Sequence, residues 1–199
     1  MAEPPTSAGV VTAEELLYLN LPDKQTELVR GSLIVREPPG YQHGLVALEI
    51  ARLIANHAAD HNLGVAVAAE TGFKLFARPD TVRAADAAFI SHGRAPDPPP
   101  TGYLTLAPDL AVEVVSPNDR AGEVQGKVSD WLTAGSRLVW VIDPVRRRAV
   151  IYRADGSVAL LAEHDALEGE DVLPGFGCPP LAESRLAPVC GPRHSFLEI

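Results

Sequence analysis

Leu110-Ala111-Val112-Glu113-Val114-Val115 places a carboxylate in the middle of a run that otherwise holds only apolar strand formers. An ionised carboxylate buried in such a strand costs several kcal/mol unless a cation meets it, a penalty comparable to the whole stability margin of a small domain. The segment therefore poses a chemical question that the rest of the chain must answer: which cation meets Glu113. The strand ends at Ser116-Pro117-Asn118-Asp119, which can cap a helix running to about Ala134, where Gly135 stops it. At about 100° per residue, Val124, Val128, Trp131 and Leu132 form one apolar stripe, and Lys127 lies on its border.

The elements before it follow from the same periodicities. Thr12-Ala13-Glu14-Glu15 reads as a capping box opening a short helix that ends by Leu21-Pro22-Asp23. Thr26 to Val29 and Ser32 to Val35 are two strands joined at Arg30-Gly31, a two-residue hairpin turn. From Gln42 to His61, Leu45, Leu48, Ile50, Leu53, Ile54 and Ala58 recur at helical spacing, with Asn62-Leu63-Gly64 as the stop. Val65 to Ala68 and Thr71 to Phe76 read as strand, Ala77 to Asp80 as a turn, and Val82 to Ile90 as a single strand with Asp86 near its middle. The four prolines between His92 and Gly102 make that stretch an irregular loop.

Beyond the helix, Leu138 to Ile142 is a near-continuous apolar run, as in a strand buried on both faces. Asp143 to Arg146 turns it into an antiparallel partner at Ala149 to Arg153, and Val158 to Leu161 adds a further strand. Loops, a short helical piece and a polar tail follow. The expected organisation is a lead over 1–11, one domain over 12–188 and a tail over 189–199.

Composition narrows the function classes. The 199 residues suffice for one sizeable core, no apolar run is long enough to cross a bilayer, and Met1 to Gly9 has no secretory pattern, so a cytoplasmic protein with no membrane partner is expected. Cys178 and Cys190 sit in no CxxC or Cys/His cluster and read as free thiols. The formal charge of -9 runs against the basic face usual in proteins that bind nucleic-acid phosphates.

Asp86 and Glu113 each sit inside an apolar, β-rich segment. If they converge they repel, and a hard divalent cation such as Mg²⁺ or Mn²⁺ would resolve the repulsion. A buried salt bridge with Arg83 or Lys127, or strand ends that reach solvent, would resolve it equally well. Lys127 itself could have its amine in the site, or could lay its stem over Trp131 with the amine in water. His57-Ala58-Ala59-Asp60-His61 has the histidine spacing of zinc-protease helices, but Asp60 stands where a glutamate base is needed, and the end of an amphipathic helix accounts for it as well. Arg146-Arg147-Arg148 could touch phosphates or be a solvated turn.

Glu27 to Gly31, His43 at the start of the long helix, Val82 to Ile90, Leu110 to Asp119, Lys127, and Gly135 to Pro144 with its Trp140-Val141-Ile142-Asp143-Pro144 together resemble the Uma2 family over nearly all of residues 12 to 187. That family is grouped with the PD-(D/E)XK nuclease superfamily as a restriction-endonuclease type. The resemblance implies an α/β (mixed α+β) fold with a restriction-endonuclease-like core, a mixed central sheet flanked by helices. It implies Asp86 and Glu113 as metal-binding acids, with the Val114 carbonyl as a further ligand, Lys127 as the catalytic lysine carried on a helix, and Mg²⁺ or Mn²⁺ as the cofactor. Glu27, His43 and Glu70 match charged or polar family positions near the site; Glu27 and His43 join the catalytic candidates and Glu70 the metal candidates. The bland alternatives are a solvent-facing His43 in the first helical turn and ordinary strand surface for the two glutamates.

Two positions depart from the pattern: Ala85 replaces a proline, and Val115 stands where other superfamily members carry the lysine. The resemblance thus implies a metal-dependent DNA endonuclease, by default a homodimer. A catalytically degenerate binding or assembly module and a hydrolase of another phosphate ester are the alternatives.

Overall fold

The computed structural model describes residues 10–69 and 71–179. Glu70, Cys190 and the tail lie outside the described residues.

The chain opens with helix α1 (Ala13–Tyr18), whose capping box forms as expected: the Thr12 hydroxyl accepts from the Glu15 N–H, and Glu15 accepts from the Thr12 N–H. The hairpin β1 (Gln25–Val29) and β2 (Ser32–Arg36) turns at Arg30 and Gly31 with φ of 49° and 78°. Both turn residues are left-handed, which matches the twist of a two-residue hairpin. A side chain at Gly31 would also run into Val10.

Helix α2 (Tyr41–Asp60) matches the periodicity read from the sequence, and Asn62 at φ 51° ends it in the left-handed region. Strands β3 (Gly64–Ala68), β4 (Gly72–Phe76), β5 (Thr81–Ala84), β6 (Ala87–Ser91) and β7 (Leu110–Val114) follow. Helix α3 (Ala121–Thr133), β8 (Leu138–Asp143), β9 (Arg148–Arg153), β10 (Val158–Ala162) and the two-residue strands β11 (Leu167–Glu168) and β12 (Gly177–Cys178) complete the described chain.

These strands form a four-stranded antiparallel sheet, β2-β1-β5-β4, and a six-stranded mixed sheet, β10-β9-β8-β7-β6-β3, in which only β7 and β8 run parallel. α3 makes the crossover that a parallel pair requires. The large sheet is covered on both faces, as the apolar runs at β7 and β8 demanded. Ile50 and Ile54 of α2 pack with Phe89, Val112, Val114 and Trp140 on one face, and Val128 and Trp131 of α3 pack with Ala88, Ala111, Val139 and Val141 on the other.

Two local expectations are corrected. Val82 to Ile90 is not one strand: β5 belongs to the small sheet and β6 to the large one, so the chain changes sheets at Ala85-Asp86. The centre of the run, Ala84-Ala85-Asp86-Ala87-Ala88, is poor in strand formers, and pairing of its two ends with different partners makes the break there. Ser116 to Asp119 does not cap α3. Its N-cap is Arg120, without a side-chain bond, and the Asp119 carboxylate turns back to accept from the Ser116 N–H at 2.7 Å. Among the described residues, 167–179 form tight turns and the β11–β12 pair, and the rest of the stretch in which a short helical piece is expected lies outside the described residues.

Candidate active site

The change of sheet builds the site. Because the strand breaks at Asp86, its side chain is released from the pleat and substitutes for a missing ladder partner of β7. The Asp86 N–H donates to the Val112 carbonyl at 3.0 Å, and the Asp86 carboxylate accepts from the Val114 N–H at 2.7 Å. The two acids expected to converge therefore do so by different routes, Asp86 beside the end of β7 and Glu113 from within it.

On β7, Val112 and Val114 face α2, so alternation turns Glu113 toward α3. There one oxygen accepts from the Trp131 indole N–H at 2.8 Å and the other from the Lys127 ammonium at 2.9 Å. Lys127 and Trp131 are four apart on α3 and so share a face. The cation that meets Glu113 directly is Lys127, and its amine is not in water: the side chain is 17% exposed and reaches a second carboxylate, Glu27, at 3.4 Å. Lys127 reaches Glu113 from the helix, while Val115 packs against the cluster that holds Val128 and Trp131.

Glu27 is buried rather than ordinary strand surface. It accepts from Arg83 at 3.0 Å and from the Ala84 N–H at 3.1 Å, and Arg83 continues to Asp130 on α3 at 2.7 Å. His43, in the first turn of α2, is turned inward, its Nε2 lying 3.3 Å from Asp86 and its Nδ1 buried without a partner. Asp86, Glu113, Val114, Lys127 and His43 line a cavity of about 540 Å³ between the β2–α2 connection and the β7–α3 turn. A second cavity of about 220 Å³ lies beside Glu27 and Tyr103 and shares Asp86 and Lys127 with the first.

The electrostatics follow from burial and crowding. Burial, together with the nearby Asp86 and Glu27 carboxylates, pushes Glu113 up to about 7 in spite of Lys127. Burial opposes the charge on Lys127, but Glu113 and Glu27 hold it above the ordinary lysine value, so the amine stays an ammonium. Burial also opposes a charged His43, but the bond to Asp86 and the charges of Asp86 and Asp119 together outweigh it, raising the histidine above its usual value. Glu27 is lowered against its own burial by Lys127 and Arg83. The linked groups comprise six carboxylates (Glu27, Asp86, Glu113, Asp119, Glu123, Asp130) and three permanent cations (Arg36, Arg83, Lys127).

That excess of negative charge bears on the metal. Among the described residues no group of three or more His, Cys, Asp or Glu side chains is arranged to hold an ion. Two carboxylates and the Val114 backbone beside one solvent-accessible cavity instead fit a hard dication that keeps several waters, as Mg²⁺ does. Positive charge in the cavity would offset the crowding by Asp86 and Glu27 that helps raise Glu113.

Two other expectations resolve toward the bland reading. His57 and His61 do not form a zinc pair: His57 Nε2 bonds the Pro174 carbonyl at 2.9 Å, and His61 Nδ1 bonds the His57 carbonyl at 2.9 Å. At the β8–β9 turn, Arg146 pairs with Asp143 at 2.9 Å and Arg147 with Glu163, and no residue of this arginine run lines either cavity. Cys178 is a free, buried thiol pushed up to about 12 by burial. Reasoning from sequence missed Arg36, which reaches Asp119 at 3.5 Å and Glu123 at 3.3 Å, and missed Trp131 as the donor fixing Glu113. The stripe on α3 placed Trp131 beside Lys127, whereas nothing local marked Arg36.

The fold is thus a six-stranded mixed sheet with a helix on each face, and carboxylates gather where a second sheet joins it. The crystal structure of "a putative nuclease belonging to DUF820 from Anabaena variabilis ATCC 29413" superposes with a TM-score of 0.76 over 86% of this chain and 96% of that one, at 18% sequence identity. The core is thus restriction-endonuclease-like, as the resemblance implied. Residues 13–182 match the Uma2 family, described as "Putative restriction endonuclease", and the chain belongs to that family. Among curated proteins none matches.

Proposed function

We propose that this protein is an Mg²⁺- or Mn²⁺-dependent endonuclease that hydrolyses DNA phosphodiesters. The observation that carries the reading is the convergence of Asp86, Glu113 and the Lys127 ammonium on one cavity, from a sheet junction, a strand and a helix. Asp86, Glu113 and the Val114 carbonyl would hold the ion. When bound, it supplies positive charge that acidifies water and offsets charge on the phosphate.

The chain's own groups do the rest. Lys127 is held protonated, so it acts as a donor: it orients the attacking water or stabilises charge developing on phosphorus-bound oxygen, and it is not the base. Trp131 and Glu27 keep Glu113 and Lys127 in register. His43 fixes the orientation of Asp86 through its 3.3 Å contact. In the reaction a water oxygen bonds to phosphorus and gives up a proton to solvent in the open cavity, the bond to the leaving sugar oxygen breaks, and that oxygen takes a proton back from solvent. A homodimer acting on two strands belongs to the same proposal.

The charge of -9, with Asp119 and Glu123 on the cavity wall, favours one further reading, hydrolysis of a smaller phosphate ester. The test is to titrate Mn²⁺ and Mg²⁺ into wild type and Glu113→Ala with plasmid DNA, single-stranded DNA, RNA and bis(p-nitrophenyl) phosphate. Metal-dependent DNA cleavage lost in Glu113→Ala is the expected result. Turnover of the small ester alone would move the assignment to the second reading. DNA retention that ignores both metal and Asp86→Ala would mean a binding module.

A further inference from the structure

Arg36 is held unlike the other arginines around the site. It stands at the end of β2 and lines both cavities, at the divide it shares with Gln25, Asp86 and Lys127. Three carboxylates surround it, yet none makes a short bond: Asp119 lies at 3.5 Å, Glu123 at 3.3 Å, and Glu27 at 3.8 Å from Nε. Charge-assisted bonds of this kind normally close to about 2.7–2.9 Å. Arg83 reaches that range at Asp130 and Arg94 reaches it at Asp109, both at 2.7 Å. The Arg36 Nε is moreover buried with no hydrogen-bond partner.

Such a group is costly to leave unmade, because a buried donor without an acceptor forfeits its solvation. Glu27 Oε2, which already receives Arg83, lies 3.8 Å from the Arg36 Nε, beyond hydrogen-bond reach. Asp119 is turned to the Ser116 N–H. What is missing is a compact acceptor with several oxygens that sits in the cavity and can take the planar fork of a guanidinium, which is the geometry of a phosphate group.

We infer that Arg36 forms a phosphate-binding site at the junction of the two cavities, exchanging its loose contacts to Asp119 and Glu123 for a substrate phosphate; the inference deepens the proposed hydrolytic site and rests on that reading of the cavity. Asp119 and Glu123 then act as competitors that hold the arginine in place while the site is empty and give it up when an anion arrives.

The experiment is calorimetric titration of inorganic phosphate, in EDTA, into the full-length wild type, Arg36→Ala, Arg36→Lys and Glu123→Gln, with thermal melts of each. Wild type is expected to bind, Arg36→Ala to lose at least about tenfold in affinity, Arg36→Lys to fall between them, and Glu123→Gln to bind several-fold more tightly because a competitor is gone. A purely structural arginine predicts no gain in Glu123→Gln. Phosphate binding equal in Arg36→Ala and wild type, no binding by wild type, or no gain in Glu123→Gln overturns the inference. The last of these decides the matter if Arg36→Ala does not fold. DNA cleavage by the same wild-type preparation separates the two readings: cleavage without phosphate binding overturns only the role of Arg36, and phosphate binding without cleavage overturns only the nuclease.

Discussion

Replacing Glu113 by glutamine tests the electrostatic core of the site without relying on activity. In the folded protein the carboxyl titrates at about 7 against a reference value of 4.5. Between these values the folded state holds a proton that the unfolded chain has released, so wild-type stability falls as pH rises through this window. At about 1.4 kcal/mol per pH unit, the loss reaches about 3 kcal/mol above pH 7. Glutamine keeps an oxygen for the Trp131 indole and never ionises, so the variant escapes the loss.

The measurement is urea unfolding of both proteins in EDTA from pH 4.5 to 8, followed by the fluorescence of the buried Trp131 and Trp140. The stability of the variant relative to wild type should climb by about 3 kcal/mol over that range. His43 titrates in both proteins and largely cancels in the difference. A flat or falling difference would refute the reasoning, since it would mean that Lys127 holds Glu113 ionised at its ordinary pKa or below. Adding Mn²⁺ at about 100 times its dissociation constant should return about 2.7 kcal/mol to wild type above pH 7 and much less to the variant.

The other expectations concern neighbouring groups. Lys127→Met should abolish metal-dependent cleavage and cost about 3–5 kcal/mol above pH 7, because Glu113 and Glu27 lose a buried partner, with a smaller cost at pH 5 where Glu113 is protonated; denaturant midpoints at the two pH values check this. Asp86→Asn can still accept from the Val114 N–H, so melting should change by less than about 1 kcal/mol while Mn²⁺-dependent turnover falls by roughly a hundredfold or more. Because the His43 pKa is raised on folding, its stabilising charge is fully present below its unfolded value and is lost as pH rises through the folded one. His43→Gln should therefore be less stable than wild type in acid and converge with it in mild alkali, as read from unfolding curves.

Local pattern carried much of this protein. The hairpin at Arg30-Gly31, the α2 periodicity, the doubly buried β8 and the α3 stripe that put Lys127 beside Trp131 were all legible, because each depends on contacts within a turn or two of the chain or on which faces are covered. The anomaly of Glu113 was legible for the same reason: one charge in an apolar run is visible without any partner. What answers it was not. The sheet change that frees Asp86, the burial of Glu27 beneath Arg83 and Lys127, and the suspension of Arg36 among three acids join residues from β1, β2, β5, β7 and α3. Strand and helix periods state which way a side chain leaves its own element, not which other element it will meet. The sequence by itself determined that a cation must come to Glu113; tertiary packing decided that Lys127 comes first, that the Asp86 and Glu27 carboxylates crowd Glu113, and that the charge is still not balanced.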